Sequence, residues 1–108
     1  MRQVGILAAA GLYALDHHLE RLAEDHRAAR ALAEKLASLP GFSCAKPETN
    51  IVLVNVPGPA ARLVEAARGL GLLCNAFGPS RVRFVTHLDV PAAMIDSPVE
   101  RLRRAAQR

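Results

Sequence analysis

Apolar residues run almost unbroken through the opening of the chain, Met1-Arg2-Gln3-Val4-Gly5-Ile6-Leu7-Ala8-Ala9-Ala10-Gly11-Leu12-Tyr13-Ala14-Leu15. Alanine and leucine dominate, so Gln3 to Leu15 is expected to form a helix, apolar on nearly every side. Such a helix must be covered on most of its surface. A chain of 108 residues builds one modest core. The cover is therefore expected from a partner subunit, or from a domain outside this chain. Val4 to Leu15 is too short to span a bilayer.

From Asp16 to Leu39 the pattern becomes amphipathic and predicts a second helical segment. Leu15, Leu22, Ala29 and Leu36 recur every seven residues, with Leu19, His26 and Ala33 between them. Glu20, Arg21, Glu24, Arg27 and Lys35 fall mostly on other faces. Pro40-Gly41 ends the helix. Phe42 to Ala45 reads as a short edge strand and Pro47-Glu48-Thr49-Asn50 as a turn. Ile51 to Val56 is a near-continuous apolar run, expected to be a central strand buried on both faces.

Pro59 then starts a helix from Ala60 to Leu70, with Leu63, Val64, Ala67 and Leu70 on one side. Leu72 to Ala76 is a second strand of the main sheet, Phe77-Gly78-Pro79-Ser80 a turn, and Arg81 to Thr86 a third strand. Along that strand Val82, Phe84 and Thr86 share one face, and Arg81, Arg83, Val85 and His87 the other. The succession is that of a split βαβ unit, with the third strand antiparallel between the other two. A last helix begins over Val90 to Asp96 and restarts or kinks at Ser97-Pro98-Val99-Glu100, which has the form of a capping box.

The expected fold is α+β: a long N-terminal helix pair, then a β-α-β-β-α small domain with a three- or four-stranded mixed sheet and helices on one face. Residues 1–40 are expected to link to a large domain and to pack at an interface, and residues 41–108 to form the small domain.

Composition narrows the functions. Hydrophobic residues make up 51% of the chain, which argues against disorder, and aromatics only 4%, which leaves the core to Leu, Val, Ile and Ala. The formal charge is +4, but the arginines are spread among acids, and only Arg101-Leu102-Arg103-Arg104 is dense. There is no aromatic stacking platform, so the charge reads as solvated helix faces; neither a nucleic acid nor a membrane is expected as partner. Cys44 and Cys74 lack metal-ligand spacing and read as buried free thiols of a reducing, cytoplasmic compartment.

Arg83 is the leading candidate for chemistry. A guanidinium in mid-strand stays charged whatever surrounds it, so it is costly unless it meets an anion or lies exposed. Alternation alone fits a salt bridge, an exposed edge position or a ligand site. His87 is equally suited to proton transfer and to a structural hydrogen bond. His17 and His18 have no partner at ligand spacing except Asp16, so no metal site is expected. His26 is expected to be packed and hydrogen-bonded, and Asn50 to cap its turn. Neither lysine, Lys35 on a polar helix face nor Lys46 in a loop, stands in a catalytic context. No glycine-rich phosphate cradle is present.

Four stretches together carry a resemblance: the opening fifteen residues with Asp16-His17-His18, then Glu48-Thr49-Asn50, then Ala76-Phe77-Gly78-Pro79, and Val85-Thr86-His87-Leu88-Asp89-Val90. In this order they resemble the C-terminal part of the low-specificity L-threonine aldolases, pyridoxal-phosphate enzymes of fold type I. The resemblance implies cleavage of L-threonine and L-allo-threonine to glycine and acetaldehyde. Arg83 matches the arginine that binds the substrate α-carboxylate. Arg2 falls near the family's domain boundary, as a cofactor or interface contact or as a plain N-terminal arginine. The lysine and most cofactor contacts of the family belong to a large domain. This chain alone is accordingly expected to contain no catalytic residue, to leave pyridoxal phosphate unbound and to be inactive, joining either a homo-oligomer or the large domain. Two alternatives stay open: the small domain of another pyridoxal-phosphate enzyme, and a non-catalytic dimerisation or docking domain.

Overall fold

Helix α1 (Val4–His17) forms where its alanine and leucine content predicts, and none of its residues is buried. Ile6 is 71% and Leu12 62% exposed. The computed structural model describes residues 1–107, with a longest dimension of 49 Å. After α1 come α2 (Leu22–Ala37), β1 (Ser43–Cys44), β2 (Ile51–Asn55), α3 (Ala60–Arg68), β3 (Asn75–Ala76), β4 (Arg81–Val85), a 3-10 turn (Ala92–Met94) and α4 (Asp96–Ala106).

The second helical segment does not continue from Asp16 as expected. A turn at residues 18–21 separates α1 from α2. The seven-residue stripe holds only beyond it: Ala29, Ala33 and Leu36 are buried, while Leu15, Leu19 and Leu22 are exposed. Asp25, Ala28 and Leu32 take the other inner positions. A 3.6-residue period drifts against a seven-residue repeat, so the true inner face is broader than the stripe.

The sheet has the order β1-β2-β4-β3, so β4 lies between β2 and β3 as the split unit requires. Each pair is antiparallel, and the expected mixed sheet is corrected to an antiparallel one. β2 and β3 run the same way but never touch, because β4 separates them. Val52 and Val54 of β2 and Val82 and Phe84 of β4 are buried, on the side where α2, α3 and α4 pack. The core they share includes Leu36, Ala60, Leu63, Ile95 and Leu102. Because α2 supplies much of this core, the packed body draws residues from both sides of Pro40.

β2 was expected to be buried on both faces and is buried on one. Ile51 and Asn55 are exposed, and Leu53 is half-buried. The helices occupy a single side, so the apolar run Ile51-Val52-Leu53-Val54 has a bare face. β3 is shorter than expected, although Leu72 and Cys74 are buried and Leu73 between them is exposed, so alternation begins before the ladder does.

The capping box at Ser97 is also corrected. α4 starts at Asp96, no side chain caps it, and Pro98 sits within its first turn. Glu100 instead pairs with Arg103 at 2.8 Å and Arg104 at 3.1 Å. Their hydrogen bonds hold its carboxyl below the usual carboxylate range. A 3-10 turn replaces the helix start expected at Val90.

Gly41 ends the α2 connection with φ of +78°, and a Cβ there would lie 3.1 Å from Pro57. Gly41→Ala combines left-handed strain with this contact and is expected to destabilise the chain by about 1–3 kcal/mol. Urea unfolding of the two proteins measures it, and equal midpoints would contradict this account.

Candidate functional site: the open face of the sheet

Alternation along β4 places Arg81, Arg83 and Val85 on the face that no helix covers. Cross-strand pairing sets their neighbours. Arg83 lies opposite Leu53 of β2 on one side and Asn75 of β3 on the other. Arg81 lies opposite Asn55, and Val85 opposite Ile51. Residues directly opposite in an antiparallel pair share a face. The open face thus has an apolar end at Ile51 and Val85, which are 42% and 39% exposed, and a polar end at Arg81 and Asn55. Arg83 stands between them on an inner strand.

Of the arrangements that alternation left open for Arg83, the salt bridge is absent among the described residues, and Arg83 is exposed. Asn55 Nδ2 donates to Ser43 Oγ at 3.1 Å, which occupies the amide at the polar end. Arg83 is exposed on this face, so an anion held there meets solvent unless something outside these residues covers it.

The end of β4 is fixed by a group that sequence reading treated only as inward-facing. Thr86 is 1% exposed. Its hydroxyl donates to the Asp25 carbonyl of α2 at 2.7 Å. Its backbone N–H donates to the Asn50 carbonyl at 3.0 Å, and Asn50 Nδ2 donates back to the Thr86 carbonyl at 2.8 Å. Asn50, expected to cap its turn, therefore ties the start of β2 to the end of β4. Asp25 in turn accepts from Arg21 at 3.1 Å. Nothing in a one-dimensional pattern pairs residues this far apart.

The other candidates lie elsewhere. His87 is exposed, and its Nδ1 accepts the Asp89 backbone N–H at 3.3 Å, the structural role. It lines a hollow of about 260 Å³ with Arg21, Asp25, Arg27 and Val90. His17 stacks on Tyr13 at 4.0 Å, and its Nδ1 lies 2.9 Å from the Tyr13 carbonyl. His18 meets Tyr13 edge-on. His26 is half-buried, but, against expectation, its ring makes no hydrogen bond among the described residues; the buried positions of α2 around it are Asp25, Ala28 and Ala29. Lys35 pairs with Asp96, Lys46 is exposed in the β1–β2 connection, and Arg2 is exposed before α1. Both cysteines are free; Cys74 is buried and Cys44 half-buried. Burial pushes both thiols up, against a smaller opposing pull from Arg68 on Cys74. Among the described residues no group of three His, Cys, Asp or Glu side chains is placed to hold a metal ion, and no helix is long and apolar enough to cross a membrane.

The sequence profile of the beta-eliminating lyases matches residues 1–58. This chain belongs to that family. The chain is 46% identical over 91 residues to the low specificity L-threonine aldolase of Escherichia coli K12, covering 83% of this chain and 26% of that protein. It is 39% identical over 93 residues to a probable low-specificity L-threonine aldolase of Arabidopsis thaliana, covering 81% of this chain and 26% of that one. The resemblance read from the sequence is thereby borne out. The chain spans about a quarter of the length of these relatives. In fold it is similar to the C-DES protein, solved as a mutant with glycine covalently linked to its pyridoxal-phosphate cofactor: TM-score 0.74, 21% identity, over 92% of this chain and 28% of that one. The shared fold confirms the α+β arrangement of sheet and one-sided helices.

Proposed function

We propose that this chain is the small-domain part of a pyridoxal-phosphate-dependent lyase of the threonine aldolase kind, and that Arg83 holds the α-carboxylate of its amino acid substrate. The observation that carries the reading is a cation without an ion-pair partner among the described residues, on an inner strand, in the middle of a sheet face that none of the described helices covers. A planar guanidinium takes both oxygens of a carboxylate at once, and lysine does not. Holding the carboxylate fixes rotation at the substrate Cα, and so decides which of its bonds is presented for cleavage. The substrates are L-threonine and L-allo-threonine, cleaved to glycine and acetaldehyde in the cytoplasm.

The residues of this chain do not fit the cofactor by themselves. Lys35 is engaged by Asp96, and Lys46 lies in the β1–β2 connection. Arg83 suits the substrate's acid group, and Arg2 is exposed with no anion-binding companion among the described residues. The covalent anchor and the phosphate site belong to a large domain, to which residues 1–40 lead and against which, or against a second subunit, the apolar α1 packs. The bare surface of α1 also supports a second reading, a docking role without catalysis.

The 108-residue chain with added pyridoxal phosphate is therefore expected to release no acetaldehyde from L-threonine above the protein-free rate. Joined to the preceding part of the Escherichia coli aldolase in place of the segment it matches, it is expected to restore cleavage. Turnover by the chain alone, or an inactive hybrid that folds and takes up the cofactor, would remove this reading.

A further inference from the structure

Asn75 was not singled out by any sequence pattern, yet the register sets it directly opposite Arg83. We infer that Asn75 is a second ligand of the anion that Arg83 holds. The inference rests on the carboxylate reading of Arg83 given above. Both side chains rise from the same open face, on adjacent antiparallel strands, where directly opposite Cβ atoms stand about 4.5–5.5 Å apart. Asn75 is exposed, and its amide has no hydrogen-bond partner among the described residues.

The other neighbours of Arg83 offer no comparable group. Leu53, opposite on β2, has no polar side-chain atom. Asn55 lies one row further along and already donates to Ser43. The donor set beside the guanidinium is therefore one-sided, with an amide on the β3 side and an aliphatic side chain on the β2 side. A carboxylate gripped by the two parallel N–H bonds of an arginine keeps outer lone pairs free, and an amide NH₂ at this spacing supplies a donor to one of them. The neutral amide adds this bond without competing for the guanidinium, as an aspartate there would. The ligand class is a monocarboxylate with an apolar or small group turned toward Leu53 and Val85.

The test uses the full chain, labelled with ¹⁵N, titrated with sodium acetate and then with glycine at constant ionic strength. The signals followed are the Arg83 Nε–H and the Asn75 side-chain NH₂. Both are expected to shift with one common midpoint. Asn75→Ala is expected to raise the Arg83 midpoint about three- to tenfold with the backbone spectrum retained, since one bond to a charged acceptor is lost. Asn75→Asp is expected to abolish the response by placing a competing carboxylate across the strand. An Arg83 signal that titrates while Asn75 stays still, or an unchanged midpoint in Asn75→Ala, overturns the inference and leaves the Arg83 reading standing. Silence from both side chains overturns this inference, and the Arg83 reading then stands or falls on the kinetics of the hybrid enzyme.

Discussion

Arg83→Ala is expected to lower kcat/KM for L-allo-threonine about a thousandfold in the hybrid enzyme, the loss of about 4 kcal/mol that follows when a desolvated charge pair loses one partner. Arg83 lies between Leu53 and Asn75 on an inner strand, and no carboxylate among the described residues neutralises it. Once another domain covers this face, the guanidinium is removed from water and its attraction for an anion grows. In the proposed enzyme the substrate acid group would then become its partner. Arg83→Lys keeps the charge but loses the planar fork, so it is expected to recover only part of the loss. Both KM and kcat should suffer, because a substrate held less firmly also presents the wrong bond. Steady-state kinetics on the three proteins decide the matter. A kcat/KM for Arg83→Ala within threefold of the parent would place the carboxylate elsewhere.

The second large effect concerns stability. Leu36→Ala is expected to destabilise the chain by about 3 kcal/mol, within the range for a buried leucine truncated to alanine. Leu36 is 1% exposed and belongs to the core that α2 builds against the sheet. Three methyl-sized groups are removed from a place where α2 meets β2, β1 and α4, and neighbours fixed by the sheet cannot collapse fully into the gap. For a domain of this size the melting temperature should fall by about 15 °C. Leu12→Ala in α1 is the control. That leucine is 62% exposed, so its loss is expected to change stability by less than about 0.5 kcal/mol. Comparable losses from both substitutions would show that α1 is packed in the isolated chain.

Much of the fold was legible because it is written in short-range order. Alanine and leucine mark α1, Pro40-Gly41 stops α2, Pro59 opens α3, and the alternation of Arg81 to Thr86 separates the inward Val82, Phe84 and Thr86 from the outward Arg81, Arg83 and Val85. Each signal involves residues within a few positions of one another. The errors have a common cause. An apolar run such as Ile51 to Val56 reports that its side chains tolerate burial, not that two layers are present to bury them. A seven-residue spacing reports a period, not the exact angle at which the helix meets a sheet. Ser97 and Glu100 have capping-box spacing, but Arg103 and Arg104 compete for the same carboxylate and win it.

The amino-acid order by itself determined the α+β class, the family, the unusually greasy first helix and the side of β4 on which Arg83 emerges. Tertiary structure alone decided that Asn75 faces Arg83, that Thr86 locks β4 to β2 and α2, and that among the described residues the helices pack on one face of the sheet only. The division has a physical basis. Which way a side chain leaves its own strand is set by backbone geometry one residue at a time. Which residue lies across from it, and what if anything covers it, is set by the register of strands and by the layers available, and these depend on contacts between segments far apart in the chain.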